Sequence, residues 1–293
     1  MRRWTAIARA TALETLSDPL ALLLTAGALA LAVVAPRLHY HQFGEPSRMA
    51  REAGLSAILV AGLAYVIFCT VKTLRREIES GTAQMALSHP VSRTSFLTAK
   101  VAGVYAAYMC FFATVFLASL TAVRGSEIGG AIAAQKGGLP LMWGPSFALA
   151  TATLVLPWMV AAALNRFLRF RFVPTAALTA LAVASAGPFY MPDYRLALRY
   201  VAVASLLAAP AAVFAAVAGA AAVRLRENAA AGLSFAIAAV SLPVLSGYYV
   251  PNALSKGGSI GIGYVALGFA AAILLTAAAL AAGSELLKGR DIA

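Results

Sequence analysis

Charge is what this chain has least of. Only 12% of its 293 residues are Asp, Glu, Lys or Arg, against about 25% in a soluble domain. Acidic residues number 11, histidines 3 and cysteines 2, so little is present from which to build a carboxylate pair, a metal site or a disulfide framework. Cys69 and Cys110 both lie in apolar runs and read as small buried hydrophobes. No Gly-x-x-x-x-Gly-Lys-Ser/Thr loop is present to cradle nucleotide phosphates; Gly137-Gly138 and the glycines over 257–263 lack the following Lys-Ser/Thr. No Ser/His/Asp or Cys/His arrangement points to catalysis. His39 and His41, near Glu45 and Glu52, have a metal-like spacing but read as part of a polar loop.

What replaces charge is apolar surface: 61% of the residues are hydrophobic, too many to hide in one soluble core of this size. The net charge of +12 is spread as single basic residues and small clusters between apolar stretches. That distribution excludes a nucleic-acid groove, which needs a basic block with interleaved aromatics, and fits loops at a membrane surface.

A membrane-crossing helix needs about 20 mostly apolar residues. Segments 19–35, 55–71, 96–123, 139–164, 172–190, 198–223, 229–250 and 259–282 meet or approach that. The fold class is therefore all-α, a polytopic membrane helix bundle of about eight transmembrane helices. Pro145, Pro157, Pro210 and Pro243 fall inside segments and predict kinks rather than breaks, because neighbouring helices satisfy the backbone groups a proline frees. With the N-terminus on the cytoplasmic side, fifteen of the 23 basic residues lie on that side and eight on the other. The positive-inside rule selects this orientation, with both termini cytoplasmic.

Residues 1–18 read as an interfacial helix on the cytoplasmic face with loose amphipathicity, since Trp4, Ile7, Ala10 and Leu13 spread around the wheel. The mixed residues between the basic start and the first apolar run argue against a cleaved signal peptide. Asp18-Pro19 then ends that helix and starts the first span.

The polar stretch 72–100 departs from generic membrane helix. Leu74, Ile78, Gly81 and Met85 recur at helical spacing, with Arg75, Arg76, Glu79 and Ser80 elsewhere on the wheel, facing water or a partner. Pro90 stops this helix, Ser92 caps the third span, and Lys100 is placed to snorkel to the interface.

This stretch resembles the ABC-2 family of transporter permeases, which carry between their second and third spans an E-x-E-x-G-T run, then a small polar residue, Pro-Val-Ser-Arg and a later Lys. The matching residues are Glu77, Glu79, Gly81, Thr82, Ser88, Pro90, Val91, Ser92, Arg93 and Lys100, while Gln84 and Ala86 stand where family members often have larger apolar residues. The tail from Lys288 to Ile292 also resembles the family's basic C-terminus. Many family members have six spans where this chain has eight, so an extra pair is inserted either within 125–195 or later.

The resemblance implies an N-terminal helix over 1–18 and a transmembrane permease domain over 19–293. Segment 72–95 would be a cytoplasmic coupling helix docking on a separate ATPase subunit. Glu77, Glu79, Gly81, Thr82, Ser88, Pro90, Ser92 and Arg93 would be the partner-coupling residues, with His89 on the same surface. It further implies a second permease copy, identical or different, and a place in the bacterial cytoplasmic (inner) membrane. ATP and Mg would be held by the partner, with no cofactor and no metal on this chain, which would be a transporter subunit, most simply of an exporter, rather than an enzyme. The alternative is an ion-coupled secondary transporter, which requires ionisable residues at mid-membrane depth; none lies well inside the eight segments. A translocation path between two permeases would be lightly polar, with Thr70, Tyr105, Tyr108, Ser119 and Thr151 as candidate lining.

Overall fold

The computed structural model describes residues 2–37, 46–83, 92–136, 144–189, 194–246 and 261–288. All the regular structure among these residues is helical: α1 (Arg2–Leu16), α2 (Pro19–Val34) followed by a short 3-10 turn (Ala35–Arg37), α3 (Pro46–Glu79), α4 (Arg93–Lys136), α5 (Gly144–Leu168), α6 (Phe172–Phe189), α7 (Tyr194–Arg224), α8 (Glu227–Ser246) and α9 (Ile262–Lys288). Six of them (α2, α3, α4, α5, α7 and α9) are long and apolar enough to cross a membrane. Helix α6 offers a shorter apolar stretch, Phe172–Gly187, and α8 occupies the seventh expected segment. The architecture is that of a multi-pass helical membrane protein.

Two helices outrun the expected spans. α3 has 34 residues and α4 has 44, which at 1.5 Å per residue is about 51 Å and about 66 Å. Both exceed the hydrocarbon thickness of about 30 Å. Their extensions past the expected spans are tied together, with Glu127 on α4 meeting Arg124 at 2.9 Å and Arg51 on α3 at 3.7 Å.

Helices α3, α4 and α7 make the centre of the bundle. Small side chains set the spacing: Ala32, Ala107, Ala215, Ala216, Ala218 and Ala222 are all fully buried. Close backbone approach replaces the hydrophobic drive that lipid removes. Aromatic rings fill the wider gaps, with Tyr65 of α3 against Phe111 of α4 at 5.2 Å between centroids, and Phe116 of α4 stacked on Tyr200 of α7 at 5.5 Å. Helices α5 and α6 pair with each other beside α4, α9 lies along α7, and α8 sits against α7 and α3.

Several buried hydroxyls are satisfied within their own helices. Thr25 donates to the Ala21 carbonyl at 2.8 Å, Thr114 to Cys110 at 2.7 Å and Ser234 to Ala230 at 2.8 Å. This i−4 bonding is how Ser and Thr enter an apolar bundle without an orphaned donor. α5 and α7 run on through Pro157 and Pro210 as expected. Pro145, by contrast, stands in the first turn of α5, where proline needs no donor.

Candidate functional site

The stretch singled out by sequence sits where α3 ends and α4 begins, at the end of the bundle that also carries α1. The last turns of α3 send four charged side chains to separate neighbours. Lys72 and Arg76 are one turn apart and share a side. Lys72 Nζ meets Asp18 at the start of α2 at 2.6 Å, and Arg76 meets Glu14 of α1 at 3.5 Å. Glu77, turned a further 100° around the wheel, faces α4 and pairs with Lys100. Arg75 folds back onto Glu79 within the helix at 2.6 Å.

These pairs differ greatly in weight. The Lys100 side chain is 6% exposed and that of Glu77 23%, and removing one partner of such a buried pair costs about 3–5 kcal/mol. The Arg76–Glu14 pair is 72% and 38% exposed and contributes about 0–1 kcal/mol. The Glu77–Lys100 pair therefore fixes the hairpin, with Lys100 further seated 6.0 Å from the Phe96 ring. Lys100 thus turns inward to a carboxylate instead of snorkelling to water. Glu77 Oε2 is buried with no hydrogen-bond partner, so a single ammonium serves the whole carboxylate.

The helix predicted across Gly81 is interrupted there. Gly81 has φ 73°, a left-handed conformation suited to a residue without a Cβ that ends a helix. The Ser80 amide bonds the Arg76 carbonyl at 2.9 Å, and the hydroxyl of Thr82 reaches back to the Glu77 carbonyl at 3.3 Å. Leu74 belongs to the α3 core face, at 2% exposure, and Met85 lies outside the described residues. Arg75 is buried rather than facing water, whereas Arg76, Glu79 and Ser80 are exposed.

Ser92 caps α4 as expected: its Oγ accepts the Ser95 amide at 3.1 Å. Arg93 does internal work, donating to the Leu287 carbonyl near the end of α9 at 2.8 Å. Of the eight predicted coupling residues, then, Glu77 and Arg93 tie helices together, while Gly81, Thr82 and Ser92 shape helix ends. Glu79 lies on the surface with its side chain 61% exposed. Ser88 and Pro90, with Val91 and His89, lie outside the described residues, as do His39, His41 and Glu45.

Sequence reasoning missed the seat of α1. Trp4 Nε1 donates to Thr98 Oγ1 at 3.2 Å, and a Cβ on Gly103 would stand 2.5 Å from the Ala8 carbonyl oxygen. α1 is thus docked tightly on α4. Its packing face contains Thr11 and Thr15, each bonded to its own i−4 carbonyl at 2.9 Å, which is why no apolar stripe showed on the wheel. Asp18 is read correctly: it caps α2 by accepting the Leu20 amide at 2.9 Å, with Pro19 in the first turn.

Of the five candidate path residues, Tyr105 and Tyr108 stand side by side on α4 with ring centroids 5.6 Å apart, while Thr70, Ser119 and Thr151 lie on α3, α4 and α5. Tyr108 is packed among Tyr65, Tyr105, Phe111 and Phe112. Ser119 bonds Tyr200 at 3.1 Å, Tyr105 reaches the Ala208 carbonyl at 3.3 Å, and Thr151 accepts from Arg37 at 2.9 Å. Thr70 is buried with its hydroxyl unpartnered. Among the described residues no group of three or more His, Cys, Asp or Glu is placed to hold a metal ion. Compared with known proteins, the chain matches no protein-family model, no curated protein and no solved structure.

Proposed function

We propose that this chain is the permease subunit of an ATP-driven transporter of the ABC-2 kind. In this reading α2 to α9 are eight membrane spans of a bacterial cytoplasmic-membrane protein with both termini cytoplasmic. Two permeases work with two ATPase subunits that carry ATP and Mg. Segment 72–95 is the element that couples them, and cargo leaves through a path between the permeases.

The observation that supports this most is how the end of α3 is presented. Gly81 turns the chain so that Glu79, Ser80 and Thr82 are exposed together beside Arg76. Behind them the frame is fixed by Glu77–Lys100, Lys72–Asp18 and the Arg93–Leu287 bond. A rigid mixed-charge surface gives a partner specificity rather than raw affinity, and it transmits a push to the helices behind it instead of yielding. An ordinary solvated loop needs neither the frame nor the left-handed glycine.

The test is purification of the chain from its native membrane, without tags on other subunits. A stoichiometric ATPase should accompany it, and Glu79→Ala combined with Gly81→Val should leave the chain inserted while uncoupling ATP hydrolysis from transport. Full transport and undiminished ATPase retention in that variant would overturn the assignment. Proton- or sodium-dependent flux with no ATPase partner would place the protein among the ion-coupled carriers instead.

A further inference from the structure

Helices α5 and α6 are joined by the short connection 169–171, and the sequence through it alternates cations with large apolar side chains: Arg166, Phe167, Leu168, Arg169, Phe170, Arg171. Both kinds lie on the surface. Phe167 is 82% exposed, Leu168 60% and Phe170 54%. The three arginines are exposed as well, and none has an ion-pair partner among the described residues. The turn is also held in shape. Arg169 has φ 57°, a conformation few non-glycine residues adopt, and Asn165 Nδ2 braces it by donating to the Phe170 carbonyl at 2.7 Å.

Water accommodates the guanidinium groups but not three neighbouring exposed apolar groups, and a protein core would do the reverse. The headgroup boundary of a bilayer accommodates both, with apolar side chains in the acyl layer and cations among the phosphates. The location agrees, because the turn ends α5, a helix long and apolar enough to cross a membrane.

Beside the turn, Arg171 opens onto a cleft of about 470 Å³ walled by α1, the start of α2 and the last turns of α3. Five charged residues line it: Glu14, Asp18, Lys72, Arg76 and Arg171. Lys72 is matched by Asp18 and Arg76 by Glu14, which leaves Arg171 as the uncompensated cation. Basic pockets between helices at a membrane surface take anionic lipid headgroups.

We propose that the 165–172 turn and this cleft form a binding site for an anionic phospholipid. Arg171 takes the phosphate at the cleft mouth, Arg166 and Arg169 add attraction to the negative surface, and Phe167 and Phe170 enter the acyl layer. The proposal rests on the membrane character of the bundle and stands or falls separately from the ATP-driven reading.

The experiment is native mass spectrometry of the full chain in neutral detergent, titrated with dioleoylphosphatidylglycerol, dioleoylphosphatidylcholine or inorganic phosphate. The glycerol lipid should bind roughly a hundredfold more tightly than the choline lipid, about 1 kcal/mol for each of the three arginines. Each arginine changed to Gln should remove roughly fivefold of that preference, the effect of about 1 kcal/mol per surface cation. Arg171→Lys should keep most of it, and Phe167→Ser with Phe170→Ser should weaken both lipids alike. The arginines are exposed and the Asn165 brace is untouched, so monodisperse elution of the Arg171→Gln protein is expected and serves as the folding control. Equal affinity for the two lipids overturns the proposal, as does an undiminished preference in the triple Gln variant. Competition by phosphate alone as strong as by the lipid would mark a free-anion site. Loss of a co-purifying ATPase with lipid preference intact would assign the turn to a protein partner.

Discussion

Glu77 near the end of α3 holds Lys100 on α4, 23 positions along the chain, and the lysine side chain is only 6% exposed. The pair ties α3 to α4 beside their connection. Everything exposed at the end of α3 is carried on that tie, so its loss should be felt in both stability and coupling.

Glu77→Gln and Lys100→Met singly should each destabilise the protein by about 3 kcal/mol, because each leaves a buried charge unmatched. The double variant should recover part of the loss, since its two neutral side chains need no ionic partner. Unfolding midpoints in one detergent check this as a double-mutant cycle; additive losses would show that the two residues do not act as a pair.

Gly81→Ala should cost about 1 kcal/mol, because φ is 73° there and a Cβ strains that conformation. Gly81→Asn should be milder, as Asn visits the left-handed region more readily. Equal unfolding midpoints for Gly, Ala and Asn at this position would contradict the assigned geometry.

At Gly103 the constraint is space rather than conformation. A Cβ would stand 2.5 Å from the Ala8 carbonyl oxygen and 2.7 Å from the Thr11 Cβ. Gly103→Leu should therefore lift α1 off α4 while the bundle stays folded. Trypsin cleavage after Arg9 should then speed up severalfold relative to cleavage elsewhere, a change readable on a gel time course.

Asp18 and Glu14 both pair with α3, but they should not be equivalent. Asp18 also caps α2, and its partner Lys72 is 2.6 Å away, so Asp18→Ala loses a cap worth about 1 kcal/mol together with the ion pair. Glu14→Ala loses only an exposed contact at 3.5 Å, worth about 0–1 kcal/mol. The order of the two unfolding midpoints is the measurement, and a reversed order would show the cap to be unimportant.

Much of the fold was legible because its signals are local. The apolar runs announced the helices, Asp18-Pro19 announced the start of α2, and Ser92 announced the start of α4, since a cap is settled within three residues of the helix it begins. The full length of α3 and α4 was not legible: past Val123 the α4 sequence turns polar and glycine-bearing, and hydropathy reads the end of a span as the end of a helix. The candidate site was legible as a motif but not as a division of labour. Nothing in Glu77-x-Glu79 distinguishes the carboxylate that turns into the bundle from the one that faces out. The break at Gly81 was hidden because Ile78 and Met85 continue the helical spacing across it.

The sequence by itself determined that this is a helical membrane chain, where most helices start, and which polar stretch is unlike the rest. Those properties follow from transfer of apolar residues into lipid and from hydrogen bonds closed within a turn. Only the tertiary structure decided that Lys100 belongs to Glu77, that Trp4 reaches Thr98 across 94 positions, and that Arg171 faces the cleft between α1 and α3. Those relationships depend on how each helix is rotated and which neighbour it meets. Hydropathy cannot supply that, because a residue facing lipid and a residue facing another helix are equally apolar.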